Sequence, residues 1–201
     1  MFFFFFACSK DVVELPPETE SGENTFGARV DGSFWTPAGF GIVPTAPLLE
    51  ARFIDDNIKI NARNFSISPT ETEFEIYLKN VTETGVYLLN KNVSIYPNQT
   101  ESYAYHIKRK LRPIDQWVTN AIFTGVVNIT KVDRVNKIVA GSFEFRAESM
   151  SNPGEFITVT DDGEELFKIK ALTKLVEDYI ENNQFAYNVM TGNVGSTLTP
   201  S

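Results

Sequence analysis

Residues 73–80, Glu-Phe-Glu-Ile-Tyr-Leu-Lys-Asn, place Phe74, Ile76 and Leu78 in strict alternation with Glu73, Glu75, Tyr77 and Lys79. Successive side chains of an extended chain point to opposite faces, so this stretch predicts a strand with one face in a core and the other in water. The same period of two runs outward in both directions. It recurs in residues 57–62 (Ile58, Ile60 and Ala62 against Lys59 and Asn61), in 102–108 (Tyr103, Tyr105 and Ile107) and in 141–147 (Phe143, Phe145 and Ala147 against Glu144 and Arg146). Turn-forming residues separate these runs: Asp31-Gly32, Asp55-Asp56-Asn57, Thr84-Gly85, Asp133 to Asn136, Asn152-Pro153-Gly154 and Asp162-Gly163. About nine or ten strands at this spacing predict a mainly β fold, an antiparallel sandwich or barrel-like domain. A final hairpin is expected from residues 156–160 and 166–170, turning at Asp161 to Glu165. Beyond it Leu172, Leu175, Val176, Tyr179 and Ile180 fall at helical spacing, which predicts one amphipathic helix over about 172–183.

The chain has 201 residues, of which 42% are hydrophobic and 22% charged, a balance that predicts one folded domain. Its 26 acidic and 18 basic side chains give a net charge of -8. A surface of that sign repels polyanions, so nucleic acid is not an expected partner. No apolar run reaches the roughly 18 residues of a spanning helix.

The amino terminus carries a different message. Phe2 to Phe6, then Ala7, then Cys8, the only cysteine, follow the order of a hydrophobic signal region, a small residue and a cut. This resembles a bacterial lipobox, which implies that residues 1–7 are the end of a signal, that Met1 lies downstream of the natural start, and that Cys8 is lipidated. Residues 8–24 read as the lipidated cysteine and an acidic tether containing Pro16 and Pro17, able to reach roughly 55 Å if extended. The domain is then expected over 25–185 and a loose tail over 186–201. Lys10-Asp11 is similar to the short charged signal that sends lipoproteins to the outer face of the bacterial outer membrane. The expected location is therefore the outer membrane, at the cell surface, with the periplasmic face as the alternative.

Three longer stretches carry a wider resemblance: Leu15 to Pro37 (LPPETESGENTFGARVDGSFWTP), Gly125 to Ala147 (GVVNITKVDRVNKIVAGSFEFRA) and Gly154 to Gly163 (GEFITVTDDG). Together they are similar to a family of uncharacterised Bacteroidetes lipoproteins. The resemblance covers about Leu15 to Lys170 and implies a secreted β-rich domain with no assigned reaction.

Motifs for nucleophilic, metal or nucleotide chemistry are missing from the sequence: there is no G-x-S-x-G, H-E-x-x-H, Walker loop or G-x-G-x-x-G. His106 is the sole histidine, and alternation with Tyr105 and Ile107 assigns it to the polar face of its strand. A triad would need Ser102 or Ser142 with Asp115 or Asp133, at spacings that do not support one. One histidine and one cysteine exclude the common zinc sites, and no cofactor is expected. Asp161 and Asp162, with Glu164 and Glu165, read as a solvated turn and offer only a weak surface calcium candidate. Sequons begin at Asn64, Asn80, Asn92, Asn98 and Asn128 and are read as a by-product of an Asn- and Thr-rich β protein. The remaining candidates are rings, because exposed aromatic faces stack on sugars. Trp35 and Phe40, in the segment before and after Thr36-Pro37, and Trp117 are the candidate ligand-binding residues, with core packing as the competing role for both tryptophans. These readings point to a non-enzymatic envelope protein that binds or adheres to a glycan or protein and meets the membrane through Cys8. The alternatives are a structural, fimbria-like subunit and, behind it, a hydrolase whose site a single sequence does not reveal.

Overall fold

The computed structural model describes residues 24–39, 47–67, 70–94, 99–109, 114–160 and 167–170, the last four by backbone alone. Cys8, Phe40, Asp161, Asp162 and the 172–183 segment lie outside these residues.

Among the described residues the secondary structure is all strand: β1 (Thr25–Phe26), β2 (Ala28–Val30), β3 (Ser33–Trp35), β4 (Leu49–Ile54), β5 (Asn57–Asn64), β6 (Glu71–Leu78), β7 (Gly85–Leu89), β8 (Tyr103–Arg109), β9 (Asp115–Val118), β10 (Gly125–Asp133), β11 (Ile138–Ser149), β12 (Phe156–Thr160) and β13 (Phe167–Lys170). None of the described elements is a helix able to cross a membrane. The turns expected at Asp31-Gly32, Asp55-Asp56, Asp133 to Asn136 and Asn152-Pro153-Gly154 form where the sequence places them, and that at Asp162-Gly163 lies outside the described residues. Asp31 and Gly32 take φ of 48° and 81° between β2 and β3, and Asp55 takes 52° between β4 and β5, the left-handed geometry that tight hairpins require.

All thirteen strands join one sheet, so the barrel-like half of the sequence expectation describes the architecture better than two separate stacked sheets. The sheet curls into a half-barrel around a single core. Its longest path runs β3-β2-β12-β11-β9-β8-β6-β5-β4, every strand pair antiparallel. The twelve-residue β11 is the hub. One of its edges carries β10 and then β9; the other carries β13 and then β12. A register shift between Ile129 and Lys131 of β10 supplies a bulge. Opposite it sits Gly141, where a Cβ would fall 2.1 Å from the Asn128 carbonyl oxygen, so only glycine allows the close approach at which the sheet bends.

The curl brings distant elements together. β13 comes within 8 Å of β4 between Cα atoms. Arg134, in the β10–β11 turn, donates to the Asp55 carbonyl at 2.7 Å and the Val81 carbonyl at 2.6 Å, and its guanidinium lies 5.2 Å from the Phe53 ring. At the opposite end Ala38 bridges to Asn64 and the Trp35 indole donates to Thr72 Oγ1 at 2.7 Å. Between these ends Phe74, Ile76 and Leu78 pack with Ile58, Ile60, Ala62, Phe143, Phe145 and Ala147, as their alternation predicts.

Three expectations are corrected. Residues 156–160 and 166–170 do not pair as a hairpin: β12 pairs with Phe145–Glu148 and β13 with Ile138–Gly141, so both run the same way along one edge of β11. The hub strand is long enough to hold them in succession, and its two sets of partners decide against a reversal. In β8 the inward residues are Ala104 and His106, not Tyr103, Tyr105 and Ile107, because the register sets His106 opposite Phe74 and Ala104 opposite Ile76. His106 is therefore buried, 5% exposed, with its ring 4.4 Å from Phe74 and 5.8 Å from Trp117. Finally, the second face of β4, β5, β6 and β8 is not simply wet. Glu50, Asn61, Arg63, Tyr77 and Tyr103 on that face are all buried.

Candidate functional site

The outer face of β4, β5, β6 and β8 is a layer of paired charge. Arg63 binds Glu50 at 2.7 Å and Glu73 at 3.3 Å and donates to the Pro47 carbonyl; Arg109 reaches the other oxygen of Glu73 at 3.2 Å. Glu75 receives Lys59 at 3.0 Å, Asn61 at 2.9 Å and the Tyr103 hydroxyl. Burial alone would raise the Glu75 carboxyl, but Lys59, Tyr103 and Asn61 together hold it below its ordinary range. Burial likewise opposes the charge on Arg63, yet Glu73 and Glu50 raise its pKa. A network so fully partnered stabilises a surface and leaves little free chemistry for a ligand.

The opposite outer face is different. Across β7, β10, β11 and β12 runs a groove of about 460 Å³, lined by Leu88, Thr124, Val126, Glu144, Arg146 and Thr158 among others. Arg146 is exposed, and its guanidinium carbon lies 4.1 Å from the Phe156 ring centroid and 5.3 Å from that of Phe123; the two rings are 5.3 Å apart. At these distances the guanidinium makes cation–π contact with both rings, which hold its position at the surface. Local sequence builds the mount. The Asn120 side chain accepts from the backbone N–H groups of Ile122 and Phe123, both at 2.8 Å, folding the loop that presents Phe123. On the other side, Ser149 Oγ accepts from the backbone N–H of Asn152 at 3.0 Å in the turn that leads to Phe156. Glu148 ties the two: one carboxylate oxygen accepts from Asn120 Nδ2 at 2.7 Å, the other from the Gly154 N–H at 2.9 Å.

The rings chosen from the sequence do not form this surface. Trp35 is 8% exposed and sits edge-on to Phe26 and Phe74, so its ring is a core ring and not a stacking platform. Two short strands, β2 and β3, fold it inward. Trp117 is half-buried, stacked on His106 and packed against the core. Phe40, Asp161, Asp162 and Cys8 lie beyond the described residues. The triad components do not meet: His106 faces Phe74 and Trp117, Ser102 Oγ accepts from the Lys79 N–H, and Asp133 accepts from Asn136. Among the described residues no three His, Cys, Asp or Glu side chains cluster as a metal site. Arg146, Phe123 and Phe156 were not singled out by sequence reasoning. A signal existed: Phe156 shares its face of β12 with Thr158 and Thr160, a lone large ring on a polar face.

The chain matches no family model, no curated protein and no solved structure.

Proposed function

We propose that the protein is a non-enzymatic binding or adhesion module of the bacterial envelope, tethered through Cys8, and that it takes a glycan in the groove beside Arg146. The supporting observation is the mounted Arg146–Phe123–Phe156 cluster at the edge of that groove. Stacked arginine offers paired donors to sugar hydroxyl or carboxylate oxygens, the threonine hydroxyls of the groove add exchangeable donors and acceptors, and Leu88 and Val126 cover the apolar face of a ring. Phe156, 45% exposed, and Arg146 lie outside the core, so their loss bears on binding and little on folding.

The test is a glycan array and titration calorimetry on the parent, Arg146→Ala and Phe156→Ala. We expect a bound glycan, at least about tenfold weaker binding in each variant, and melting free energies within about 1 kcal/mol of the parent. A parent that binds no glycan, or variants that bind as well as the parent, would overturn the assignment.

A further inference from the structure

We infer that the groove beside Arg146 selects an acidic glycan bearing isolated hexuronate units, and that it reads the two ends of such a unit with Arg146 and Glu144, a selectivity that rests on the glycan reading above. Arg52, Arg63, Arg109 and Arg134 each lie between 2.7 and 3.9 Å from a carboxylate oxygen. No carboxylate among the described residues reaches Arg146 in this way; the rings of Phe156 and Phe123 hold it instead, with centroids 4.1 and 5.3 Å away. Glu148, the next outward residue of β11, has its two oxygens taken by Asn120 and the Gly154 N–H. A guanidinium placed by rings keeps its hydrogen-bonding capacity for a ligand, and a planar carboxylate matches its fork of donors.

Strand register arranges the groove in two rows. Thr124, whose carbonyl accepts the Arg146 N–H at 2.9 Å, and Thr158, directly across from Arg146, flank the arginine on its two sides. In the second row Glu144 stands opposite Val126, and Val126 opposite Leu88. The first row is thus a guanidinium between two hydroxyls, and the second a carboxylate beside an apolar strip. Alternation sets Glu144 and Arg146 on one face of β11, about 6.8 Å apart along the strand, the scale of one pyranose ring. Both are exposed, and they make no ion pair with each other. A hexuronate laid across them sets its carboxylate on Arg146, donates its hydroxyls to Glu144 and rests its C–H face on Val126 and Leu88. Glu144 also limits the charge that the groove accepts. A densely charged polyanion brings further negative groups toward Glu144 and toward a chain of net charge -8, whereas one carboxylate on an otherwise neutral glycan meets the arginine alone.

The experiment is calorimetric titration of the full chain carrying Cys8→Ser with oligosaccharides that each bear one glucuronate, galacturonate or mannuronate, every one beside its neutral, carboxyl-reduced counterpart. We expect at least one uronate to bind roughly tenfold or more tighter than its reduced form, and the preference to shrink as salt rises from about 0.05 to about 0.5 M. Arg146→Gln should bring the acid down to the level of its reduced form. Glu144→Ala should weaken the reduced form, which loses a hydroxyl acceptor, and widen the preference for the acid, which loses a repulsion. Circular dichroism melts check that each variant folds, and the comparison of acid with reduced ligand on the parent needs no variant. A parent that binds a neutral glycan as tightly as its acidic counterpart, or Arg146→Gln that keeps the preference, would overturn the selectivity and leave the glycan reading standing. Tighter binding of a sulfated glycan than of any uronate would overturn the carboxylate assignment. A parent that binds no oligosaccharide, acidic or neutral, would overturn both readings together.

Discussion

His106 illustrates how one side chain's chemistry follows from its neighbours. Burial between Phe74 and Trp117 pushes its imidazole down to about 4 from an ordinary 6.5; Lys108 acts in the same direction, while the Glu73 backbone opposes. Among the described residues its Nδ1 has no hydrogen-bond partner, so a proton placed there gains nothing. The unfolded chain takes up a proton near pH 6.5 that the folded chain refuses until about pH 4. Stability from this group is thus fully present above about pH 6.5 and falls as pH drops toward 4, by about 3 kcal/mol in all. Denaturant titrations at about pH 7 and pH 5 should show the parent losing about 2 kcal/mol more than His106→Phe over that interval. Parallel losses in parent and variant would refute the buried, neutral imidazole. The residue was read as solvated because Tyr105 and Ile107 look more apolar than histidine. Alternation reports which residues share a face, and not which face is inside when both are covered.

At the scale of elements, β4, β5, β6 and β8 show two interiors back to back, one of hydrocarbon and one of charge. Removing one member of a buried pair strands its partner, whereas an exposed pair contributes little. Glu50→Ala should therefore lower the unfolding free energy by about 3 kcal/mol, because Arg63 is left with Glu73 and one carbonyl in a site with almost no water. Asp56, 68% exposed and 3.9 Å from Arg134, should tolerate alanine within about 0.5 kcal/mol. Urea midpoints for the two variants check both; equal midpoints would mean that the charge layer is wet. Strand periodicity in residues 57–62, 73–78 and 141–147 identified the hydrocarbon interior correctly, since each has one unmistakably apolar face. It could not identify the charge layer, because the polar residues of a lone strand look alike whether or not neighbours shield them.

For the whole molecule, the proposed role needs a chain that is held at a surface and still presents a groove. If Cys8 carries acyl chains, each buried methylene contributes about 0.8 kcal/mol, and two chains or more give stable anchoring. Expressed behind a lipoprotein signal sequence placed ahead of Cys8, the protein should fractionate with membranes, and Cys8→Ser should move it to the soluble fraction. A variant that stays wholly with membranes would remove the lipid anchor from the proposal. What the sequence by itself determined was the local order: extended segments, tight turns at Asp31-Gly32 and Asp55-Asp56, and the residues that share each face, all consequences of backbone sterics and side-chain alternation. The hub role of β11, the succession of β12 and β13 along one of its edges, the inward turn of Trp35 and His106, and the meeting of Arg146 with Phe123 and Phe156 were decided only by tertiary structure. Each depends on which distant strand supplies the neighbour. That choice is made by the closing of one curled sheet over its core, a non-local energy that no single segment of sequence contains.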